Sequence, residues 1–248
     1  MSAAPAGTLP RAATGRLARR LAQAAAAAAG FAVPVVLLIL LVRSANPTVA
    51  GLDTDAHDTL RGAAVDHPVL ADAMEVVAVV AHPWVLRAGA VAGVVVLWRR
   101  GRRRVALWLG TTFAVGGLLS AGLKLLVARA RPVFPDPIAH ADGYSFPSGH
   151  ALTAMVGAGC AVVLLHPRLR GRARVVLWSA SGAFVLLVGL DRVFLGVHYL
   201  TDVVAGWVVG LATVVSTVVA FAVWRREEGL PPATPGAELD AGEVSRPG

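Results

Sequence analysis

The sequence predicts an all-α integral membrane protein: a bundle of six spanning helices, with an interfacial helix between the first and second spans. Hydrophobic residues make up 56% of the chain and charged residues only 15%, whereas about a quarter of a soluble domain is charged. The apolar residues form runs of about 20, the length that crosses a bilayer as a helix. The basic residues lie between these runs, so the net charge of +8 forms no single patch and a nucleic-acid partner is not expected.

The six predicted spans cover, in order, roughly residues 24–43, 84–99, 105–128, 149–166, 173–191 and 199–224. The first follows a basic N-terminus, residues 1–23, and its apolar run is too long for the core of a signal peptide, so we expect it to be retained. The spans form one domain, residues 24–226. Residues 227–248 are rich in Pro, Gly and Glu and are predicted to be a disordered cytoplasmic tail.

The segment between the first two spans combines helical and polar features. Residues 69–81 are apolar enough for a helix but include Asp72 and Glu75. We predict a helix at the outer interface, because a seventh span would invert every later loop and place the arginine clusters on opposite sides. The preceding stretch 53–66 contains four aspartates and is predicted to be a polar surface segment.

The distribution of lysine and arginine orients the bundle. Sixteen of the 23 basic residues lie at the N-terminus, in the turns 99–104 and 167–174, and near the C-terminus, all on one side of a six-span arrangement. The positive-inside rule makes that side cytoplasmic. We therefore expect a plasma-membrane protein with both termini in the cytoplasm and with the 129–148 and 192–198 loops on the extracytoplasmic face.

Three short polar clusters lie at the outer ends of the predicted spans, and the first is Lys124 with Arg131-Pro132. Lysine supplies a point charge and arginine a planar fork, and both suit phosphate oxygens. Pro132 disfavours helix at Arg131, so we expect the third span to end there. The structural alternative is a basic side chain that reaches from a helix end toward water.

The second cluster is Pro147-Ser148-Gly149-His150, at the start of the fourth span. Ser148 suits a helix N-cap, Gly149 allows a ligand close to the backbone, and free N–H groups at a helix start bind anions. His150 can donate a proton to a leaving oxygen, because the pKa of histidine is near neutral. A simple cap with an interfacial histidine is the alternative.

The third cluster is Arg192, His198 and Asp202, between the fifth and sixth spans. His198 and Asp202 are four residues apart and share a face of a helix. A carboxylate that binds one imidazole nitrogen fixes the tautomer and leaves the other nitrogen as a nucleophile. The alternative is an interfacial ion pair. The remaining histidines, among them His57 and His82, match no motif and are expected to be interfacial or loop residues.

Together, Lys-x6-Arg-Pro, Pro-Ser-Gly-His and Arg-x5-His-x3-Asp, in this order and at helix ends, resemble the type 2 phosphatidic acid phosphatase superfamily. That superfamily includes membrane lipid phosphatases and, more distantly, vanadium haloperoxidases. The resemblance covers about residues 84–224, with its motif core at 124–202. It implies a phosphoric ester or diphosphate hydrolase that works without a metal or another cofactor.

The resemblance also implies a role for each motif residue. His198, oriented by Asp202, attacks phosphorus and becomes a phosphohistidine, while His150 protonates the leaving oxygen. The phosphate oxygens are held by a second group of residues: Lys124, Arg131, Ser148, Gly149 and Arg192. This chain departs from the family in having Asp191 before that last arginine, where a serine is frequent. Asp191 either pairs with the arginine and weakens its hold on phosphate, or faces away and only orients it.

The expected substrate is a membrane lipid, a lipid phosphate or lipid diphosphate: polyprenyl diphosphate, phosphatidylglycerol phosphate or phosphatidic acid. The frequent alanine, valine and arginine indicate a bacterium with high genomic GC content. One alternative is a lipid phosphotransferase that uses the same phosphohistidine. Another is a non-catalytic lipid-phosphate binder or flippase, which needs the cations but not the paired His198 and Asp202. Gly206 and Gly210 indicate close helix contact, either inside the bundle or across a homodimer.

Overall fold

A computed structural model describes residues 32–44 and 46–244, so the predicted basic N-terminus 1–23 and the first part of the first span lie outside the described residues. The described residues form α-helices and contain no strand, which confirms the all-α prediction. The helices are α1 (described over Ala32–Arg43), α2 (Pro47–Asp66), α3 (Pro68–Val80), α4 (Pro83–Arg99), α5 (Arg103–Val127), α6 (Gly149–Leu165), α7 (Arg172–Phe194), α8 (Leu200–Glu227) and α9 (Pro235–Val244). A short 3₁₀ turn, His166–Arg168, extends α6.

The apolar helices give five candidate membrane spans, or six if α1 and α2 count as one span. The five are Pro68–Arg99, Arg103–Val127, Gly149–Arg168, Arg172–Phe194 and Leu200–Glu227, while α1 and α2 meet at an angle of 87°. The second to sixth predicted spans therefore begin and end within a few residues of observed helices. The second observed span is longer than predicted, because it also includes α3. The prediction of an integral membrane helix bundle is confirmed.

The helix expected at the outer interface is continuous with the next span. Helices α3 and α4 together form one 32-residue candidate span, which is about 48 Å long at 1.5 Å per residue. The hydrocarbon core of a bilayer is only about 30 Å thick. α3 therefore extends this span beyond the length that a bilayer requires, at the end opposite Arg99. The break at Ala81–His82 is small because the backbone N–H groups of both residues still bond to carbonyls of α3.

Helix α6 lies at the centre of the bundle and packs very closely against α8. A Cβ atom at Gly206 would lie 2.7 Å from the backbone oxygen of Ser148, and one at Gly210 would lie 2.8 Å from that of Leu152. Only glycine fits at either position, because both obstacles are backbone atoms. Of the two alternatives for these glycines, the structure shows packing within the bundle; the face that we considered for a homodimer is covered by α6.

The C-terminal segment differs from the predicted disordered tail, because residues 235–244 form α9. Its Leu239 is buried in the same apolar core cluster as residues of α5, α6 and α8. Glu238 forms ion pairs with Arg225 and Arg104. The charges that predicted a solvated tail instead fasten α9 to the end of the bundle where α5 begins and α8 ends.

Candidate active site

The first cluster lies where α5 ends. The helix stops at Val127, because Ala128 adopts the left-handed conformation with φ of 49°, so Arg131 lies beyond the helix and not at its last residue. Lys124 and Arg131 nevertheless reach the same loop segment. The Lys124 ammonium donates to the carbonyl of Tyr144, and Arg131 donates from Nε to the carbonyl of Gly143 (3.0 Å). The two cations therefore point toward one place at the mouth of the bundle.

His198, between α7 and α8, lies beside these cations. Its Nε2 is 3.1 Å from Nη1 of Arg131, and its Nδ1 is 3.4 Å from Oδ2 of Asp202. Arginine can only donate, so Nε2 must be the unprotonated nitrogen and Nδ1 carries the proton toward the carboxylate. This geometry selects the tautomer in which the lone pair on Nε2 accepts from Arg131 and Nδ1 faces the carboxylate.

The electrostatic surroundings keep His198 neutral. The side chain is only 3% exposed. Burial lowers the pKa of His198 to about 4, and this effect outweighs the neighbouring Asp202, which raises it; the charges of Arg131 and Lys124 lower it further. At neutral pH the imidazole is therefore an unprotonated base, the form that can act as a nucleophile.

The second cluster starts α6 and is tied to the third. Ser148 is the N-cap of α6 and its Oγ accepts from the N–H of Ala151 (3.4 Å). Its own N–H donates to the backbone oxygen of Asp202 (2.9 Å). Gly149 begins the helix, and His150 follows within the same first turn, in electrostatic range of Arg192 and His198. The start of α6 and the start of α8 thus form one unit.

Arg192 lies in the last turn of α7 and pairs with its neighbour. Its Nε donates to Oδ2 of Asp191 (2.9 Å), and its Nη2 bonds to the same oxygen. The arginine is 6% exposed and the aspartate 2%. Of the two alternatives for Asp191, the structure shows the pairing, so a phosphate at this arginine has to share it with a carboxylate.

The structure therefore brings all eight sequence-predicted site residues to one end of the bundle. They come from the ends of α5 and α7, from the starts of α6 and α8, and from the two loops between them. The three clusters are far apart in sequence, yet hydrogen bonds join them directly. The Arg131–His198 contact joins the first cluster to the third, and the Ser148–Asp202 contact joins the second to the third.

A second layer of residues, which belongs to none of the three motif clusters, surrounds His198 and Asp202. Arg129 donates to Oδ1 of Asp202 (2.7 Å) and to Oδ2 of Asp53 (2.7 Å). His57 places its Nε2 3.1 Å from the backbone oxygen of His198. Asp53 and His57 belong to α2, in the stretch predicted to be a polar surface segment, but one face of this helix is buried. Their spacing of four residues was a signal that they share a helix face.

His82 also lies outside the three motif clusters. It is the N-cap of α4, where its Nδ1 accepts from the N–H of Trp84 (3.2 Å). Its ring centre is 5.2 Å from that of His150, in an edge-to-face arrangement. His150 Nε2 also lies 3.3 Å from the backbone oxygen of Ala78 in α3. The break between α3 and α4 therefore contacts the histidine of the second cluster.

The fold and the site define a polytopic membrane protein with two histidines, an aspartate and three basic side chains gathered at one end of a helix bundle. The sequence model of the PAP2 superfamily matches residues 105–226, a range that includes all three clusters. The resemblance seen in the motifs is thereby confirmed.

Individual relatives are similar over the same part of the chain. Phosphatidylglycerophosphatase B of Bacillus subtilis is 36% identical over 40% of this chain and 49% of its own length. Undecaprenyl-diphosphatase of Sulfolobus acidocaldarius is 32% identical over 44% of this chain and 51% of its own. Lipid A 1-phosphatase of Rhizobium etli is 38% identical over 43% of this chain and 46% of its own. The chain spans about half the length of the curated relatives it matches.

A solved structure shows a similar fold over most of the chain. It is the crystal structure of a transmembrane PAP2-type phosphatidylglycerolphosphate phosphatase from Bacillus subtilis, with a TM-score of 0.60 and 28% sequence identity. The match covers 79% of this chain and 96% of that one. The similarity therefore includes helices outside the range of the family's sequence model.

Proposed function

We propose that this protein is a phosphatase that removes phosphate from a lipid phosphate or lipid diphosphate through a phosphohistidine on His198, without a metal. The observation that carries the proposal is the Nε2 atom of His198. It is held unprotonated by Asp202 on one side of the ring, and it faces Arg131 on the other. A neutral, oriented imidazole beside fixed cations is what nucleophilic attack on a phosphate requires.

The reaction has two steps. In the first, the Nε2 lone pair attacks phosphorus, a P–N bond forms, and the bond from phosphorus to the lipid oxygen breaks as His150 gives that oxygen a proton. In the second, water attacks phosphorus and passes a proton to His150, the P–N bond breaks, and inorganic phosphate leaves. Lys124, Arg131 and Arg192 stabilise the charge on the three non-bridging oxygens in both steps.

The residues at the start of α6 complete the phosphate site in this proposal. The hydroxyl of Ser148 accepts from the helix backbone, which leaves its proton free to donate to a phosphate oxygen. The N–H group of Gly149 is at the helix N-terminus, where anions are favoured. Within the described residues, no group of three or more His, Cys, Asp or Glu side chains is arranged to hold a metal ion.

The position of the site supports a lipid substrate and an extracytoplasmic location. Helices α5, α6 and α7 each run the length of the bundle, from or to the site. The arginine-rich turns before α5 and after α6 therefore lie at the end opposite the site. By the positive-inside rule that end is cytoplasmic, so the site faces the outer leaflet and both termini are inside. A lipid tail can stay in the bilayer while its phosphate enters the site, and the relatives are named for lipid phosphates or diphosphates.

The test is phosphate release by the purified protein in detergent micelles, with a panel of ³²P-labelled lipid phosphates and diphosphates. The His198→Asn variant should lose activity by at least about 10³-fold while it remains folded. The native protein should carry an acid-labile, alkali-stable ³²P label on quenching, and the variant none. Activity should survive EDTA.

A matched control is His140→Asn, which changes an exposed loop histidine and should have no effect. Phosphate release by His198→Asn at the native rate would remove this histidine as the nucleophile. A label that forms but leaves only when an alcohol is added would instead indicate the phosphotransferase. Tight binding of the lipids with neither label nor release would indicate a binder.

A further inference from the structure

We propose that Asp53 and Arg129 form a positioning relay, in which α2 holds Asp202 in the orientation that directs His198. The proposal rests on the proposed function, because it assigns these residues to the reaction at His198. Neither residue belongs to the three motif clusters, and Asp53 lies outside the range that the family's sequence model matches.

The Asp202 carboxylate is held from both sides. Its Oδ2 accepts from the backbone N–H of Tyr199 (3.0 Å) and faces Nδ1 of His198 (3.4 Å). Its Oδ1 accepts from Nη1 of Arg129 (2.7 Å). The side chain is fully buried. A buried carboxylate without a charged partner is costly, so Arg129 both compensates its charge and fixes the rotation of its plane.

Arg129 is itself locked in place. Nη1 also donates to the hydroxyl of Thr201 (2.8 Å), Nη2 donates to Oδ2 of Asp53 (2.7 Å), and the guanidinium lies 3.8 Å from the centre of the Tyr199 ring. Although burial disfavours its charge, the two carboxylates raise the pKa of Arg129 above its ordinary value. Two carboxylates and one guanidinium carry a net charge of −1, so this group attracts no phosphate and Arg129 differs in kind from Arg131.

Asp53 connects the relay to α2 and to the start of α8. Its Oδ1 accepts from the backbone N–H of Thr201 (2.9 Å), and its Oδ2 accepts from the Thr201 hydroxyl (2.8 Å). A carboxylate here caps free N–H groups at a helix N-terminus, where negative charge is favoured. One turn further along the same helix face, His57 contacts the backbone oxygen of His198. Helix α2 therefore contacts the backbone of His198 directly and reaches Asp202 through Arg129.

The relay predicts a specific kinetic effect. None of its members contacts the Lys124 ammonium or the Arg131 guanidinium, so substrate binding should be nearly unchanged. Loss of the relay lets Asp202 rotate away from Nδ1, which allows the other tautomer of His198 and blocks its lone pair. The expected effect is a fall in kcat with little change in KM, the pattern of a group that acts only in the transition state.

The experiment compares Asp53→Asn, Arg129→Lys and the double variant with the native protein. Each single variant should lower kcat by about 10- to 100-fold and change KM by less than about 3-fold. Because the two residues act in one relay, the double variant should be no slower than the slower single variant. The matched control is Asp55→Asn, the same substitution at an exposed position of the same helix, which should behave as the native protein.

A second measurement tests the relay through the tautomer of His198, independently of enzyme activity. NMR of protein labelled with ¹⁵N-histidine should show His198 protonated at Nδ1 in the native protein and a mixture of tautomers in Asp53→Asn. Native kcat in both single variants, a raised KM with unchanged kcat, or additive losses in the double variant would each overturn the relay. Absence of phosphate release from the native protein would overturn the proposed function. The NMR measurement of the His198 tautomer would still show whether the relay orients this histidine. If Arg129→Lys does not fold, Asp53→Asn decides it, since asparagine keeps an acceptor for the N–H of Thr201.

Discussion

The close contact between α6 and α8 offers a direct test of how packing positions the two histidines. Helix α6 carries His150 near its start, and α8 begins two residues after His198. At Gly206 the backbones of the two helices are in close contact. A Cβ atom there would lie 2.7 Å from the backbone oxygen of Ser148 and 3.0 Å from the backbone nitrogen of Leu152. We predict that Gly206→Ala lowers both stability and activity.

The magnitude follows from that geometry. The 2.7 Å separation is about 0.7 Å shorter than the 3.4 Å at which ordinary contact begins, and a backbone oxygen cannot rotate away, so the helices must separate by several tenths of an ångström. Such overpacking costs about 1–3 kcal/mol, which lowers the melting temperature by several degrees for a chain of this size. A displacement of 1 Å between reacting groups costs about 10²-fold in rate, so we expect a 10- to 100-fold fall in kcat.

Gly182→Ala on α7 is the matched control. A Cβ atom at this position meets nothing within 4 Å, and alanine is the better helix former by up to about 1 kcal/mol. Its melting temperature should be unchanged or higher and its activity native. The measurements are thermal unfolding in detergent micelles and phosphate release from a lipid phosphate. A Gly206→Ala protein with native kcat and native melting temperature would refute the reasoning that this contact positions the site.

Three further predictions concern charged groups. Asp191→Ser frees Arg192 from its carboxylate partner, so inhibition by vanadate should strengthen by about 10-fold or more while the melting temperature falls; unchanged inhibition would show that the carboxylate does not compete with phosphate. Burial lowers the pKa of His198 from its ordinary 6.5 to about 4, so the unfolded chain binds this proton first as the pH falls. The free energy of unfolding should therefore decrease by up to about 3 kcal/mol between pH 6.5 and 4, and this loss should be smaller in His198→Asn. Glu238→Gln removes the anion that pairs with Arg225, and unfolding measurements should show a loss of roughly 2 kcal/mol with activity unchanged; an activity loss would mean that α9 influences the site.

The spans and the three clusters could be predicted because their signals are local. A run of about 20 apolar residues is enough to predict a membrane span. His198 and Asp202 are only four residues apart, so their proximity could also be predicted. The partners of Arg129 are different: Asp53 lies 76 residues before it and Asp202 lies 73 residues after it. A single sequence does not show which distant carboxylate pairs with which arginine, so the role of Arg129 could not be predicted from it.

The two segments that differ from the prediction were misjudged for a related reason. Helix α2 carries four aspartates, and three of them face outward, but Asp53 is buried because Arg129 and Thr201 use both of its oxygens. In α9, Glu238 was predicted to be a solvated charge, but it forms an ion pair with Arg225. In both cases composition measured the polarity of a segment correctly, but burial depended on a partner from another part of the chain.

The charges around His198 pose a problem that the relay answers. Asp202 has to be ionised to hold the imidazole proton, yet an uncompensated carboxylate just behind the nucleophile would repel an incoming phosphate. Arg129 lies on the far side of that carboxylate and offsets its charge without entering the phosphate site. Asp53 in turn keeps this guanidinium from swinging toward the phosphate, where it would leave Asp202 unpaired. The second carboxylate reduces the positive charge of this region, and on this reasoning it is also the group that keeps the first in its orienting role.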